Sequence, residues 1–313
     1  MNTPMNTQSN AMPDAPLDSQ ILPPTVISAA RRMYWSVRRE LWESRSIYIA
    51  PLVAAAVFLF GFLISLTRLP HQMRALSALD PAQQHEVLAR PYHFAAGLIM
   101  LTALVVGVFY CLDALHGERR DRSILFWKSL PVSDLTTVLS KASIPLVVLP
   151  LLTVAIIAAT QCIMLLLSTV GVLGSGLSVA ALWSHLPLFQ MSLMLFYHLL
   201  TVHVLLHAPF YCWLLLVSGW ARRAVFLWAG LPVLAIWVVE KIAFNSSYFV
   251  TMLAHQLAGG REAVPFPGMM PIDPGMQLTP VNFLSSPGLW IGLVFAAAFL
   301  AAAVRLRRYR EPI

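Results

Sequence analysis

Three histidines are the first candidates for chemistry because they lie inside a long apolar run. His198, His203 and His207 all fall between residues 187 and 218. At 100° per helical residue, His203 and His207 share a face, whereas His198 lies about 140° from His203. An i, i+4 histidine pair can bind a metal or help to hold haem, and ionisable groups inside a membrane are often functional. Neutral imidazoles can also bond between packed helices, and we favour this interpretation because no second apolar segment offers matching histidine or cysteine ligands.

The second candidate is a charged stretch, residues 113–141, that separates two apolar runs. It carries five basic and four acidic residues. Bulky apolar groups stand beside its arginines, which predicts a short helix at a wet, anionic surface. The apolar side of this helix would be formed by Ile124, Leu125, Phe126, Trp127 and Leu130. Its charged side would be formed by Arg119, Arg120, Arg122 and Lys128.

The end of this short helix is predicted at Pro131. Proline has no N–H to donate, and its ring clashes with the preceding turn. Ser133 or Asp134 can then cap a new helix that runs through Leu135, Val138 and Leu139 into the next apolar run. The charged stretch should therefore form an elbow at a membrane face.

Motifs of known catalytic sites are absent from the sequence. It contains no GxxxxGK[ST] phosphate loop, no HExxH, no GxSxG and no pair of intramembrane aspartates. Cys111, Cys162 and Cys212 lie in apolar runs without CxxC or metal-type spacing, so we expect core packing rather than a disulfide or a metal site. We expect no cofactor in this chain and no ATP hydrolysis by the chain alone.

The composition predicts an all-α, polytopic membrane protein. Hydrophobic residues make up 58% of the chain and charged residues 11%, with a mean hydropathy of +0.72, whereas about 25% of residues are charged in soluble domains. The net charge of +7 is divided among short loops and accompanies no recognition motif, which argues against a nucleic-acid partner.

Two features are predicted before the first span. Residues 1–24 are polar and rich in proline, which predicts a disordered tail rather than a signal peptide. Residues 25–45 have the pattern of an amphipathic helix that lies on the membrane surface. Its apolar stripe consists of Ile27, Ala30, Tyr34, Val37 and Leu41, and its arginines fall largely off that stripe.

Six segments are long enough to cross a bilayer, which requires about 20 apolar helical residues. They are residues 46–66, 93–112, 142–170, 187–218, 224–242 and 286–304. The third and fourth are overlong and should tilt, protrude or bend, with Pro145, Pro150 and Pro209 available for kinks. The charge pattern argues against dividing residues 188–218 into a re-entrant pair.

The distribution of positive charge predicts the orientation of these spans. Of 21 lysines and arginines, 16 lie in the N-terminal segment, in 113–142, at Arg222 and Arg223, and in the basic tail 305–313. The positive-inside rule then places both termini and the elbow in the cytoplasm. The outer loops would be 67–92, 171–186 and 243–285, with Asp113 and Glu240 as snorkelling or paired charges at the ends of their spans.

The elbow resembles a pattern found in ABC type-2 permeases, the membrane subunits of bacterial ABC exporters. The similar residues are Glu118-Arg119-Arg120-Asp121-Arg122-Ser123, then Ser129-Leu130-Pro131-Val132-Ser133, then Lys141. At Asp121-Arg122-Ser123 many members have a Gly-Thr-type turn. The layout of an amphipathic helix, six spans and a long external loop before the last span is also similar, as is the stretch from Trp213 to Pro232, so the resemblance covers about residues 25–310.

This resemblance implies a partner and a mechanism. The elbow would be a coupling helix that docks in a groove of a separate ATPase subunit, and two permeases would work with two ATPases that hold ATP and Mg²⁺. Phe126 and Trp127 would anchor the contact. Arg119, Arg122 and Lys128 would orient docking by charge. Glu118 would pair with a nearby arginine or with the N-terminal helix, Pro131 would stiffen the elbow, and Ser133 belongs to the same motif.

The function implied is a homodimeric exporter in the bacterial inner membrane that moves an amphipathic substrate, such as a peptide antibiotic, a drug or a lipid. The simpler interpretation of the elbow is a belt of ordinary interfacial residues. Two other functions stay open at this point. One is a membrane redox subunit whose cofactor binds His203 and His207, and the other is a membrane scaffold that transports nothing.

Overall fold

The computed structural model describes residues 28–68, 80–124, 126, 132–173, 183, 188–257 and 287–309. All regular structure in these ranges is helical. The helices are α1 (Ala29–Glu43), α2 (Ser46–Ser65), α3 (Pro81–Ala114), α4 (His116–Arg120), α5 (Asp134–Ser143), α6 (Leu149–Leu173), α7 (Leu188–His198), α8 (Val204–Trp220), α9 (Val225–Phe244), α10 (Tyr248–Leu257) and α11 (Pro287–Tyr309).

Within the residues that the structure describes, five helical segments are long and apolar enough to cross a membrane, as expected for an all-helical membrane protein. They are Ser46–Arg68, Glu86–Arg120, Asp134–Leu173, Val225–Phe244 and Gly288–Tyr309. The fourth segment of the sequence prediction is instead two helices, Met191–Thr201 and Val204–Trp220, bent by 43°. The break contains a π-helical turn, Leu199–His203, and precedes Pro209, which lies inside α8. This bend therefore has a widened turn at its origin rather than the predicted proline.

The overlong third segment also contains an irregular turn. The π-helical turn Ile144–Val148 includes Pro145 and joins α5 to α6. Because proline donates no N–H and crowds the preceding turn, the backbone widens there instead of continuing as a regular α-helix.

Two predicted connections contain more helix than expected. The predicted outer loop 67–92 includes the first turns of α3, which begins at Pro81 in the favourable first position of a helix. This extension buries Leu88 and Tyr92 against a cluster that includes Phe62. The long loop 243–285 contains α10, and α11 continues to Tyr309 through most of the predicted basic tail. The predicted disordered segment 1–24 lies outside the described residues.

The main core lies where α2, α3, the turn after α5, and α8 meet. Ile47, Cys111, Ile144 and Leu215 are each at most 1% exposed and belong to one cluster. Among the three cysteines, Cys111 and Cys212 are buried as predicted, but Cys162 is exposed on α6, so the expectation of core packing was wrong for that residue. The most extensive contact between two helices joins α8 to α11.

The predicted apolar stripe of α1 packs in part against the bundle. Val37 and Leu41, from that stripe, contact the main core. Trp35 and Trp42 are exposed on another side of the helix. Val37 and Leu41 therefore attach the second half of α1 to the bundle, whereas Tyr34 of the same stripe is exposed, and an aromatic side is left facing outward.

Candidate functional site

Four charged side chains are buried together where α1, α4, α5 and α11 meet. Glu40 is 2% exposed, Glu118 8%, Lys141 2% and Arg307 6%. We call these four residues the ionic node, and the part of the molecule around them the charged end of the bundle. Ionised groups at such depth are stable only when paired.

Three side chains bond to the carboxylate of Glu40. Lys141 Nζ lies 3.0 Å from Oε1 and 2.9 Å from Oε2 of Glu40, and Tyr110 donates its hydroxyl hydrogen to Oε2 at 3.0 Å. The neighbouring Arg39 Nη2 donates to Oε1 at 2.6 Å. The carboxylate of α1 is thereby joined to α3 and α5.

Glu118 is paired with cations from three other helices. Lys141 Nζ lies 3.1 Å from Glu118 Oε1, and Arg307 Nη1 donates to Oε2. Arg39 Nη2 of α1 lies 3.5 Å from Oε1, so the ion pair expected between Glu118 and the N-terminal helix is present. Lys141 stands between both carboxylates and links them into one network.

Arg307 connects the last helix to the start of α5. Its Nε lies 3.2 Å from Asp134 Oδ1, an ion pair in which the N–H is not aligned for a hydrogen bond. Asp134, Val138 and Lys141 are spaced i, i+4, i+7, so they lie on one face of α5. Near the beginning of that face Asp134 pairs with Arg307, and near its end Lys141 pairs with Glu40 and Glu118.

Ser133 begins α5 as the sequence predicted. Its Oγ accepts a hydrogen bond from Thr136 N at 3.1 Å, which satisfies one of the free amides of the first helical turn. This cap fixes where α5 starts, and so fixes which of its residues face the node.

The first turn of the elbow is attached to the end of α8. Ser218 Oγ accepts hydrogen bonds from Leu115 N at 3.0 Å and His116 N at 2.9 Å. Arg119 Nη1 donates to Gly219 O at 2.8 Å and Ala221 O at 3.3 Å. A cation is favourable there because the last carbonyls of a helix carry partial negative charge. Arg119 is only 4% exposed, so its guanidinium faces the bundle rather than the surface.

Beyond α4 the elbow reaches the surface. Arg122 is exposed and has a φ of 57°, in the left-handed region where glycine is favoured. Ile124 is 2% exposed, whereas Phe126 is 60% exposed. The two therefore do not form one apolar side as predicted. Leu125, Trp127, Lys128, Leu130 and Pro131 lie outside the described residues.

A cavity of about 570 Å³ opens beside the node, between α1, α3 and α4. The carboxylates that line it are Glu40, Glu43, Asp113, Glu118 and Asp121. Burial raises the pKa of the Glu43 carboxyl, and the Arg39 guanidinium, 3.7 Å away, partly offsets this rise. Asp113 lies 3.9 Å from Arg120, consistent with the paired boundary charge expected from the sequence.

The three histidines do not form a comparable cluster. His207 is 2% exposed on α8, and His198 is half-buried at the end of α7, on the other side of the 43° break. His203 ends the π-helical turn, and its side chain lies outside what the structure describes. Within the described ranges, no group of three or more His, Cys, Asp and Glu side chains is arranged to hold a metal.

Sequence reasoning missed most of the node. Glu40 and Arg307 were not singled out, and Lys141 was recognised only as part of a motif. A signal was present for Glu40, since it lies about 60° from Val37 around the helix, at the edge of the apolar stripe, where a buried acidic residue requires a partner. Its partners lie about 70 and 101 residues away in sequence, and only the fold brings them to it.

Comparison with known protein families, curated proteins and solved structures finds no match to this chain.

Proposed function

We propose that the chain is the membrane-spanning permease of an ATP-driven exporter of the ABC type-2 kind, and that a separate subunit supplies the ATPase. In this proposal two copies of the chain work with two ATPases in a bacterial inner membrane, and both termini face the cytoplasm. Helices α7 and α8 together form one bent span, which brings the number of spans to six. The observation that carries the proposal is the attachment of a surface elbow to several helices through the ionic node.

The node links the elbow to several helices, so that a movement of the elbow moves these helices as well. Moving α4 away from α1, α5 or α11 would leave buried charges without partners, at a cost of about 3–5 kcal/mol for a broken buried pair. Hydrogen bonds from Leu115, His116 and Arg119 also fix the elbow to the end of α8. A force applied at the elbow should therefore displace the attached helices, whereas a flexible loop would deform without moving them.

The contacts indicate that some residues of the elbow dock the ATPase and that others attach the elbow to the bundle. Phe126 is exposed and is assigned, with Trp127, to anchor the ATPase. Arg122 and Lys128 orient docking by charge, whereas Arg119 holds the elbow to α8. Glu118 belongs to the node, Pro131 limits bending of the elbow, and Ser133 fixes the start of α5.

ATP and Mg²⁺ bind to the partner in this proposal. The chain itself contributes the path through which an amphipathic substrate, such as a peptide antibiotic, a drug or a lipid, crosses the membrane. Closure of the ATPases on ATP would move the elbows of both copies together and change the shape of that path.

The test is purification of the tagged chain from native membranes in mild detergent. Mass spectrometry should find a soluble subunit with a GxxxxGK[ST] loop in equal amount with the chain. The double variant Phe126→Ala, Trp127→Ala should lose that subunit while its thermal unfolding stays unchanged. Phe244→Ala, an exposed aromatic at the far end of α9, is the matched control and should retain it. Retention by the double variant, or recovery of the chain without an ATPase, would contradict the proposal.

A further inference from the structure

The outward side of α1 carries a regular alternation of arginine and tryptophan. Arg31, Trp35, Arg38 and Trp42 fall within an arc of about 60° on the helix. The indoles of Trp35 and Trp42 are 54% and 69% exposed. We call these four residues the arginine–tryptophan stripe. Glu40 lies on the opposite side of α1, where the ionic node holds it.

The guanidinium of Arg38 is positioned by both tryptophans. Its Cζ lies 5.1 Å from the ring centroid of Trp35 and 4.9 Å from that of Trp42. Cation–π contacts of this kind restrict the rotamers of a long side chain while its N–H groups remain able to donate. A planar guanidinium held in this way is suited to bidentate bonding with a phosphate group.

The position of α1 in the chain brings the end of this stripe close to a candidate span. The helix ends at Glu43, and the first candidate span begins at Ser46. The last turn of α1 therefore lies within a few ångströms of the level at which that candidate span begins. Tryptophan is enriched at this level because its ring is apolar and its N–H is polar, and arginine there meets lipid phosphate.

We propose that the arginine–tryptophan stripe binds the phosphate of anionic phospholipids in the leaflet at the charged end of the bundle. Arg38 donates to the phosphate, Arg31 adds positive charge about two turns nearer the start of the helix, and the two indoles pack against the glycerol and upper acyl region. The charges of Arg31 and Arg38 complement an anionic headgroup, and the node keeps the other side of α1 against the protein. The inference does not depend on the proposed exporter function.

The experiment uses the full chain reconstituted in vesicles of equimolar phosphatidylglycerol and phosphatidylcholine. After gentle extraction, native mass spectrometry gives the ratio of the two lipids that stay bound. The wild type should retain an excess of phosphatidylglycerol, and Arg31→Gln with Arg38→Gln should lower that ratio by about fivefold. Arg38→Lys should also lower it, because the charge is kept but the planar, bidentate group is lost.

Arg222→Gln with Arg223→Gln is the matched control, since both arginines are exposed and follow α8 at the same end of the bundle. This variant should keep the wild-type ratio, and circular dichroism should show that all variants are folded alike. An unchanged ratio in the α1 variant, or an equal fall in the control, would overturn the proposal. So would a change in oligomeric mass without a change in bound lipid, because the stripe would then face protein.

Discussion

Two carboxylates near the ends of spans, Glu118 and Glu240, are stabilised in opposite ways. Glu118 is bound by cations from three other helices, and its partner Arg307 is 189 residues away in sequence. Glu240 is bound locally: its oxygens accept from Ser246 Oγ at 2.8 Å, Tyr248 N at 2.5 Å and Phe249 N at 3.0 Å. The first arrangement couples distant elements, whereas the second caps only the helix that follows.

The difference between the contacts of Glu118 and Glu240 indicates where a movement of one helix can be transmitted to others. The carboxylate at the beginning of α10 offsets the free amides and partial positive charge of that helix, and its hydrogen bonds among the described residues are all within nine residues of it. The carboxylate of Glu118 cannot lose its position without disturbing α1, α5 and α11 together. A shift at the charged end should therefore spread through the bundle, and a shift at Glu240 should stay local.

The strongest effect is expected from Glu118→Gln. It removes the negative charge that Lys141 and Arg307 share, and breaking a buried pair in this way costs about 3 kcal/mol. The free energy of unfolding in mixed micelles should fall by that amount. Glu43→Gln, whose side chain is 51% exposed, is the control and should cost less than about 1 kcal/mol. Equal costs for the two variants would show that the node is not a buried network.

A double-mutant cycle on Glu40 and Lys141 measures the coupling inside the node. The single variants Glu40→Gln and Lys141→Met and their combination should give a coupling free energy of about 1–3 kcal/mol, because the groups are in contact and buried. The exposed pair Glu86 and Arg90, 3.6 Å apart on α3, provides the matched cycle. Its coupling should be about 0.5 kcal/mol or less. The same small value at the node would contradict the assigned contacts.

Glu240→Gln should have a smaller and local effect. Loss of the carboxylate at the N-terminus of α10 should weaken the first turn of that helix, because its amides lose a charged acceptor. Hydrogen exchange should become faster at the amides of Tyr248 and Phe249, while the amides of Leu115 and His116 keep their protection. Faster exchange at both places would mean that Glu240 is coupled to the charged end after all.

The weakest effects are expected at the positive-φ residues that follow the two carboxylates. Arg122 has a φ of 57° and Asn245 a φ of 47°. Arg122→Gly should raise the free energy of unfolding by about 1 kcal/mol, since glycine adopts this backbone without strain. Asn245→Gly should change it by only a few tenths of a kcal/mol, because asparagine already tolerates the left-handed region. Arg122→Ala removes the charge without relieving the strain, and it should give no gain.

The apolar periodicity of the sequence was enough to predict the helical class, the position of most spans and the cap at Ser133. These features depend on residues close together in the chain. The start of α3 at Pro81 was not predicted, although proline in the first helical position is a local signal for it. The π-helical turn at Leu199–His203 was not predicted either, because apolar periodicity does not distinguish a widened turn from a regular one. The apolar stripe of α1 was identified from the sequence. Whether that stripe faces lipid or protein depends on which other helices pack beside it.

The sequence singled out part of the candidate site, but not most of its buried partners. The charge pattern singled out residues 113–141, and the pairing of Glu118 with the N-terminal helix is present in the structure. Arg119 is surface-directed in the sequence interpretation and bound to α8 in the structure. Glu40 and Arg307 enter the site from the two ends of the chain, and contacts over such separations are not specified by local patterns.

Photo-crosslinking in native membranes would show whether the elbow docks on a separate ATPase, as proposed. A benzophenone amino acid would replace Phe126 and, in a second chain, Phe244 at the far end of α9. We expect position 126 to give an adduct with a soluble subunit carrying a GxxxxGK[ST] loop, and position 244 to give none. Adducts from position 126 with lipid alone, while the chain is folded and inserted, would contradict the proposal.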